Sequence, residues 1–214
     1  MSDLFILASG SPRRRQLLEA LGIRFIVIKP EIDETQRHGE APLDYVRRLS
    51  VEKCAGASDR AAAEHPQIAG SGTNVITLAA DTIVIHKGEV LGKPANAAEA
   101  RAMLRRLRGE AHTVCTALTL RCTRGSDQPV QLTDHACTTV IMRSYSDDEI
   151  EAYIATGDPF DKAGSYAIQH EGFQPVAAVE GSRSNVVGLP VELLSKLLAQ
   201  IGQPLPTSLS LENK

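Results

Sequence analysis

The chain has 214 residues, 43% of them hydrophobic, which is enough for one large domain or two small lobes with a sizeable buried core. Its formal net charge is −3 at pH 7, whereas a general nucleic-acid-binding protein usually carries an excess of basic residues. No apolar run reaches the length of a membrane span, so the sequence argues against both classes.

The first half of the chain alternates between short apolar stretches and longer amphipathic ones. The predicted elements are, in chain order, a strand over Leu4–Ala8, a helix from Pro12 to about Leu21, a strand over Arg24–Ile28, a helix from Ala41 to about Ala63, and strands over Val75–Ala80, Thr82–His86 and Glu89–Leu91. Gly22 is predicted to end the first helix, and Lys87–Gly88 to form a hairpin turn.

The second half begins with a helix rich in alanine, leucine and arginine. The predicted elements are a helix over Ala97–Leu107, alternating strands at about His112–Cys122 and Val130–Met142, a helix after Ser146 to about Thr156, turns and strand over Gly157–Gly188, and a closing helix over Pro190–Ile201. Ser146 is predicted to be an N-cap, because three acidic residues follow it. Helices and strands intermix and two long strands are consecutive, which favours an α/β fold on a mixed sheet.

The stretch LASGSPRRRQLL, residues 7–18, places Arg13–Arg15 at the predicted start of a helix. Ser11 suits the N-cap and Pro12 the first helical position. The helix dipole disfavours cations at this end, which indicates that an anion binds there. Guanidinium groups match phosphate geometry, and Ser9 and Ser11 add hydroxyl donors. A phosphate site is therefore predicted; the alternatives are a nucleic-acid patch and a solvated basic helix end.

Asp81 lies inside the apolar run ITLAADTIVI. A buried, unpaired carboxylate is costly, so Asp81 needs a cation, a metal or an exposed position. One interpretation is a metal ligand next to bound phosphates, since Mg²⁺ bridges carboxylates and phosphates. The other is an aspartate in a turn between two strands.

For each of the other charged residues, a role in a site competes with an ordinary position on the protein surface. Glu31, Asp33 and Glu34 follow a strand, either as metal ligands or as a solvated loop. Lys53 lies in a helix of mixed charge, where a surface lysine is the default. Lys93, in LGKP, does not belong to a Walker A loop, because the glycine spacing is short and no serine or threonine follows.

The four cysteines, Cys54, Cys115, Cys122 and Cys137, are scattered and form no CxxC pair. We therefore predict reduced thiols in a cytoplasmic protein. The six histidines never pair at metal-ligand spacing, and the apolar run before Ser9 is too short for a secretory signal core.

Taken in order, short motifs along the chain resemble the Maf family of nucleoside triphosphate pyrophosphatases. The motifs are ASGSPRRRQLL at 8–18, IDE at 32–34, AADTIV at 79–84, GKP at 92–94, DKAGSYAIQ at 161–169 and SNVVGLP at 184–190. The resemblance implies an α/β fold with a mixed, strongly twisted sheet, flanking helices and two lobes around a cleft, as in Maf and inosine-triphosphatase-like proteins. It also implies one catalytic domain over residues 1–201, followed by a polar tail over 202–214.

The resemblance implies hydrolysis of a nucleoside triphosphate to the monophosphate and pyrophosphate with a divalent metal cation, Mg²⁺ or Mn²⁺. Asp81 matches the family's general base and, with Glu34, a metal ligand. The positions that match residues setting substrate choice are Arg13, Thr82 and Gln169. The positions that match other polar residues lining the site are Ser9, Arg14, Lys53, Lys93 and Lys162.

The YAIQ stretch is similar to the branch of the family that acts on dTTP and UTP, including modified pyrimidine nucleotides, in a house-cleaning role. The chain departs from the family pattern at His170–Glu171, where a Gly-Leu pair is usual, and at Arg183, which replaces a frequent aromatic residue. The alternatives are a 7-methyl-GTP pyrophosphatase of the same family and a non-catalytic nucleotide-binding regulator of cell division. The expected partner is the nucleotide substrate, with no nucleic acid and no membrane, and a homodimer stays open.

Overall fold

Seven strands form one mixed β-sheet in the computed structural model, which describes residues 3–65, 74–124 and 128–205. The strands are β1 (Leu4–Ala8), β2 (Phe25–Val27), β3 (Asn74–His86), β4 (Glu89–Leu91), β5 (Ala111–Arg124), β6 (Val130–Met142) and β7 (Val176–Glu180). Their order across the sheet is β2-β1-β3-β5-β6-β7, and β4 pairs with β3. β1 runs parallel to β2 and β3 while the other pairs are antiparallel, so the predicted mixed sheet is confirmed.

Helices cover both faces of this sheet. They are α1 (Pro12–Ala20), α2 (Pro42–Glu64), α3 (Ala97–Leu107), α4 (Asp147–Ala155), α5 (Arg183–Val187) and α6 (Val191–Gln200). α2 packs on one face through Cys54, Ala57 and Ala61, against Ala79 of β3. α1 and α6 pack on the opposite face at one end of β3, and α3 and α4 pack on that same face near its other end.

Local sequence signals explain where two of the helices begin. Ser11 caps α1 by accepting a hydrogen bond from the backbone N–H of Arg14, and Pro12 occupies the first helical turn. Ser146 caps α4 with a full capping box, in which Glu149 bonds back to the cap. Both predicted N-caps are therefore confirmed.

β3 is one continuous strand, whereas the sequence predicted a break at Asp81. Residues from Asn74 to Ile85 pair with β5 in unbroken register, with Asp81 opposite Ala117. The interpretation of Asp81 as a turn residue is therefore wrong. An aspartate is unfavourable in a strand by itself, but Lys53 of α2 contacts this carboxylate and the ladder continues through it.

The pairing of β3 has a gap on one edge. β1 pairs with β3 as far as Ala79, and β4 pairs with it from Val84. Within the described ranges, no strand pairs with this edge between those two residues. On the other edge, β5 covers the same stretch. Asp81 and Thr82 therefore lie on a strand that is open on one side.

Cys115 and Cys137 form a disulfide that connects β5 to β6, so the prediction of reduced thiols is wrong for this pair. The two residues are direct partners in the antiparallel register, with their Cα atoms 4.2 Å apart. Their separation of 22 residues hides this proximity in the sequence, because the strand register brings them together. Cys54 and Cys122 are buried free thiols, as predicted.

Two predictions concern segments near the C-terminus. The predicted region of turns and strand over 157–188 contains two short 3-10 helices, β7 and α5. Most of the predicted tail, from residue 206 to 214, lies outside the described residues.

Among the helices of the described ranges, none is long and apolar enough to cross a membrane.

Candidate functional site

A cleft of about 1210 Å³ opens at the gap beside β3. Its walls come from the segment between β1 and α1, from α2 and β3, from the segment after β4, and from residues 158–171. The site residues predicted from the sequence all line this cleft: Ser9, Ser11, Arg13, Arg14, Glu34, Lys53, Asp81, Thr82, Lys93, Lys162 and Gln169. Residues far apart in the chain thus come together, while the roles assigned to them stay predictions.

Asp81 projects from the face of β3 that α2 covers, and Lys53 of α2 meets it there. The Lys53 ammonium lies 2.5 Å from a carboxylate oxygen of Asp81 and 3.1 Å from one of Glu34. The side chains of Lys53 and Asp81 are 11% and 10% exposed, whereas that of Glu34 is 49% exposed. Two carboxylates thus converge on one buried ammonium group, and the alternative of a surface lysine is wrong.

The two carboxylates have opposite pKa shifts. Burial raises the pKa of Asp81, and the neighbouring Lys53 and Arg14 offset that rise only in part. At Glu34 burial also acts upward, but the surrounding cations, led by Lys53, outweigh it and lower the pKa. Environments that separate the pKa values of two neighbouring acids are typical of sites where one acid accepts a proton and the other stays ionised.

Arg14 reaches into the cleft from the first turn of α1 and is fixed by three neutral acceptors. Its Nε donates to the carbonyl of Gly188 at 2.8 Å. Its two terminal nitrogens donate to the hydroxyls of Ser9 and Thr82, each at 3.0 Å. None of these acceptors carries a charge, so the positive charge of Arg14 stays available to an anion in the cleft.

The Thr82 hydroxyl belongs to a chain of hydrogen bonds behind Arg14. Thr116 of β5, the direct register partner of Thr82, donates to the carbonyl of Asn185 at 3.1 Å. The two threonine hydroxyls lie 2.9 Å apart. Because the Thr116 proton is used on a carbonyl, Thr82 must donate to Thr116 while it accepts from Arg14. Thr82 therefore has no proton left for a ligand, and its contact is with Arg14.

The arginines on either side of Arg14 differ in their surroundings. Arg13 lines the cleft, and its Nε is buried with no hydrogen-bond partner in the described part of the chain. Arg15 is exposed and lies outside the cleft, near Phe25. A buried donor without a partner favours an incoming acceptor such as a phosphate oxygen. The alternative of a solvated helix end therefore suits Arg15 better than Arg13.

Lys162 lines the cleft, but its donors already have acceptors. Its ammonium donates to the carboxylates of Asp158 and Asp161 at 2.7 and 2.6 Å, and to the Asp158 carbonyl at 2.6 Å. The Lys162 side chain is 7% exposed. A direct contact with a ligand would require it to release one of these acceptors. In this arrangement Lys162 stabilises the turn that carries both aspartates.

Gln169 is exposed in the wall of the cleft that the segment 167–171 forms. Its neighbours His170 and Glu171 line the same wall. The departure from the family pattern at these two positions is therefore next to the residue predicted to set substrate choice.

Sequence reasoning missed Tyr45, Asp158 and Thr116. Tyr45, in the first turn of α2, lines the cleft and donates its hydroxyl proton to the carbonyl of Glu34 at 2.8 Å. Asp158 stands four residues before Lys162, but that spacing indicates an ion pair only on a helix, and the sequence predicts turns here. Thr116 has no local signal, since its contacts depend on the register between β3 and β5.

Asp81 and Glu34 are the residues that could hold a metal ion. Both carboxylates contact the Lys53 ammonium, so their oxygens converge on a point that already holds a positive charge. Within the described residues, no group of three or more histidine, cysteine, aspartate or glutamate side chains could hold an ion. Mg²⁺ is usually bound by one or two carboxylates plus substrate phosphates. Two carboxylates match that kind of donor set, and the Lys53 ammonium, which contacts both, would have to move for an ion to lie between them.

Comparison with known proteins gives a family match along most of the chain. A family model described as Maf-like protein matches residues 4–201. A protein from Symbiobacterium thermophilum named dTTP/UTP pyrophosphatase is 43% identical over 202 residues, which cover 94% of this chain and 96% of that protein. A protein of the same name from Myxococcus xanthus is 46% identical over 95% of both chains. The solved structure of a HAM1 protein from Coxiella burnetii covers 92% of this chain and 99% of its own, at 16% identity and a TM-score of 0.44.

Proposed function

This chain belongs to the Maf-like protein family, and we propose that it hydrolyses dTTP and UTP to the nucleoside monophosphate and pyrophosphate. The observation that carries the proposal is a single cleft that joins a buried carboxylate, that of Asp81, to a set of cationic side chains. The cationic residues are Arg13, Arg14, Lys29, Lys53 and Lys93. The names of relatives matched over nearly their whole length support the substrate class, and the family match supports a catalytic unit over residues 1–201.

In this proposal the triphosphate binds at the N-terminal end of α1. Arg13 supplies a guanidinium group with an unpartnered buried donor, and Arg14 supplies a positive charge held by neutral acceptors. Planar guanidinium groups bind phosphate through two parallel hydrogen bonds, which an ammonium group cannot reproduce. Lys93 adds positive charge from the segment after β4. Together these groups offset the negative charge of the triphosphate.

Asp81 acts as the general base. Because burial raises its pKa, it accepts a proton from water more readily than an ordinary aspartate does. The water oxygen forms a bond to the α-phosphorus, and the bond from that phosphorus to the oxygen bridging to the β-phosphate breaks. Pyrophosphate leaves with the electron pair of that bond. Lys53 and Arg14 stabilise the negative charge that develops on the phosphate oxygens.

A divalent metal ion would complete the proposed site, and Asp81 and Glu34 are the residues that would hold it. Bound there, Mg²⁺ or Mn²⁺ would neutralise phosphate charge. Without a metal ion, the Lys53 ammonium offsets the mutual repulsion of the two carboxylates, since it contacts both.

Gln169 is the residue proposed to recognise the base. Its amide offers both a donor and an acceptor, which match the O4 and N3–H groups of thymine and uracil. Its exposed position in the cleft wall leaves both groups free to meet a ligand. Selectivity then depends on where the segment around Gln169 holds this amide.

Pyrophosphate release measured with dTTP, UTP, CTP, GTP and 7-methyl-GTP tests this function. We expect kcat/KM for dTTP and UTP to exceed that for the other nucleotides about tenfold or more, and Gln169→Ala to reduce this preference. Excess EDTA should stop release, and Mg²⁺ or Mn²⁺ should restore it.

Three outcomes of that assay would contradict the proposal. A preference for 7-methyl-GTP would assign the chain to the other branch of the family. Nucleotide binding without turnover would favour a regulator. Full activity in excess chelator would show that the reaction does not require a metal ion.

A further inference from the structure

Tyr153, near the C-terminal end of α4, packs against the segment 167–173 that contains Gln169. The residue is 2% exposed and belongs to the core under α3 and α4. It does not line the cleft, and the proposed chemistry does not use it. Its contacts with this segment nevertheless begin and end on either side of Gln169.

Tyr153 contacts the segment at three points. Its hydroxyl accepts a hydrogen bond from the backbone N–H of Ala167 at 3.1 Å. Its ring meets the His170 ring edge-on with centroids 4.9 Å apart, and stacks on the Phe173 ring at 4.5 Å. The N–H of Phe173 in turn donates to Nδ1 of His170 at 2.9 Å. One buried side chain thus contacts the beginning, the middle and the end of the segment.

The hydroxyl proton of Tyr153 also has a fixed acceptor. It is donated to Oδ2 of Asp158 at 2.7 Å, while Oδ1 of Asp158 accepts from Lys162 at 2.7 Å. Burial raises the pKa of the Tyr153 hydroxyl, and the Asp158 carboxylate acts in the same direction, so the hydroxyl keeps its proton. The Tyr153 hydroxyl is therefore held by two hydrogen bonds, one accepted from the Ala167 N–H and one donated to the Asp158 carboxylate.

We propose that Tyr153 is a positioning residue that sets base selectivity by holding the segment 167–173, and with it Gln169, in the cleft wall. The inference rests on the proposed function, because it concerns how that site distinguishes bases. Gln169 is exposed and stands two residues from Ala167, so its amide is only as well placed as the backbone around it. Without the Tyr153 hydroxyl, that backbone keeps its ring contacts and loses its hydrogen bond.

The test compares Tyr153→Phe with Tyr145→Phe. Tyr145 is a matched control, because its buried hydroxyl also donates a hydrogen bond, to the Leu104 carbonyl at 2.7 Å, and its ring also packs on Phe173. In Tyr153→Phe we expect the ratio of kcat/KM for dTTP to that for GTP to fall about three- to tenfold, mainly through KM. Tyr145→Phe should lose a comparable amount of stability and keep the wild-type ratio.

Hydrogen exchange of backbone amides gives a readout that does not depend on turnover. In Tyr153→Phe the Ala167 amide should exchange about threefold faster or more, and in Tyr145→Phe it should exchange at the wild-type rate. His170→Ala supplies a second variant, since it removes a partly exposed ring that contacts Tyr153. It should shift the selectivity ratio in the same direction as Tyr153→Phe.

An unchanged selectivity ratio in Tyr153→Phe overturns the inference, whatever His170→Ala does, because His170 also lines the cleft wall. An equal change in Tyr145→Phe overturns it as well. If the wild-type protein releases no pyrophosphate from either nucleotide, the proposed function fails instead. Exchange at Ala167 then decides the positioning by itself: faster exchange in Tyr153→Phe supports it, and an unchanged rate overturns it.

Discussion

Asp81 keeps a carboxyl group in an apolar part of β3 because a cation from another element contacts it and offsets part of the cost of its burial. Its strand neighbours on the same face, Ala79 and Ile83, are buried against α2, and Lys53 contacts the carboxylate itself. Asp81→Asn keeps the shape of the side chain and removes its basicity. We expect pyrophosphate release to fall about 10²–10⁴-fold, the usual contribution of a general base, in single-turnover assays on protein that still melts cooperatively.

Asp134→Asn is the matched control for this change. Asp134 of β6 also pairs with a lysine, Lys196, at 3.3 Å, but it is partly exposed and does not line the cleft. Its replacement should leave turnover unchanged. Retention of more than about a tenth of wild-type turnover by Asp81→Asn would show that another group takes the proton.

Arg13 and Arg15 allow a comparison between two residues of the same chemistry in one helix. Arg13→Ala should raise KM for dTTP about tenfold or more, because a charged hydrogen-bond donor to phosphate is lost. Arg13→Lys should recover only part of that loss, since an ammonium group lacks the planar fork. Arg15→Ala, outside the cleft, should change KM less than about twofold. Equal KM values for the two alanine variants would mean that the arginine run is a solvated helix end.

At the scale of elements, hydrogen bonds join α1, β3, β5 and α5 behind the site. Arg14 donates to Thr82, and Thr82 donates to Thr116. Thr116→Val keeps the shape of the side chain and removes the acceptor for the Thr82 proton, which leaves Arg14 less firmly placed. We expect KM for dTTP to rise about three- to tenfold and the free energy of unfolding to fall by about 1–2 kcal/mol, as measured by steady-state kinetics and urea unfolding.

Thr119→Val, on the same strand, controls for the loss of a buried hydroxyl. The Thr119 hydroxyl is bonded to Ser50 and Thr133, and Ser50 belongs to α2 on the opposite face of the sheet. Its loss should reduce stability by a similar amount and leave KM unchanged. A similar rise in KM for both variants would point to a general loosening of β5.

β5 also carries a buried histidine, His112, whose ring nitrogen lies 2.7 Å from the Tyr166 hydroxyl. Burial, with a smaller contribution from His86, lowers the pKa of His112 from 6.5 to about 4. Between these two values the unfolded chain binds a proton that the folded protein does not. Stability should therefore fall as the pH decreases from about 6.5 to about 4, and His112 should contribute up to about 3 kcal/mol to that fall.

Urea unfolding across this pH range, in wild type and His112→Gln, measures the contribution. Glutamine can still bond to Tyr166 but gains no proton, so the variant should lose less stability on acidification. His38→Gln, in the exposed segment before α2, should behave as the wild type does. An equal loss of stability in wild type and His112→Gln would contradict the assignment.

At the scale of the whole molecule, the cleft lies between core residues of both sheet faces. Its wall includes Ala8, from the core under α2, and Val84 and Leu91, from the core under α3 and α4. A ligand held there should stabilise the folded state by linkage. At 100 times its Kd, a non-hydrolysable dUTP analogue should add about 2.7 kcal/mol, which corresponds to a rise in Tm of about 5–10 °C for a chain of this size.

Scanning calorimetry with the analogue and with deoxyuridine separates the phosphate contribution from that of the base. Deoxyuridine at the same concentration should raise Tm far less, because it brings no phosphates to the arginines of α1. Equal shifts for the two ligands would contradict the assignment of that end of the cleft to phosphate binding.

The sequence predicted those parts of the molecule that depend on neighbours in the chain. The caps at Ser11 and Ser146 have local signals, so α1 and α4 were predicted closely. Asp81 was open to a wrong interpretation because the residue that compensates its charge is 28 positions away on α2. Thr116 and Tyr153 could not be found at all, because their contacts depend on strand register and on how α4 packs.

The open edge of β3 has a consequence for how proteins of this kind can change over generations. Asp81 points toward α2, and Thr82 points toward α1 and α5 on the other side of the sheet. Successive side chains of a strand alternate between the two faces of the sheet. The face on which each of these two side chains lies therefore depends only on the number of residues that precede it in the strand. Deleting or inserting one residue between Ala79 and Val84 would exchange the faces, even where the strand paired again with β5. Loops around the cleft can gain or lose residues during evolution. The stretch between Ala79 and Val84 can change only by substitution of one side chain for another.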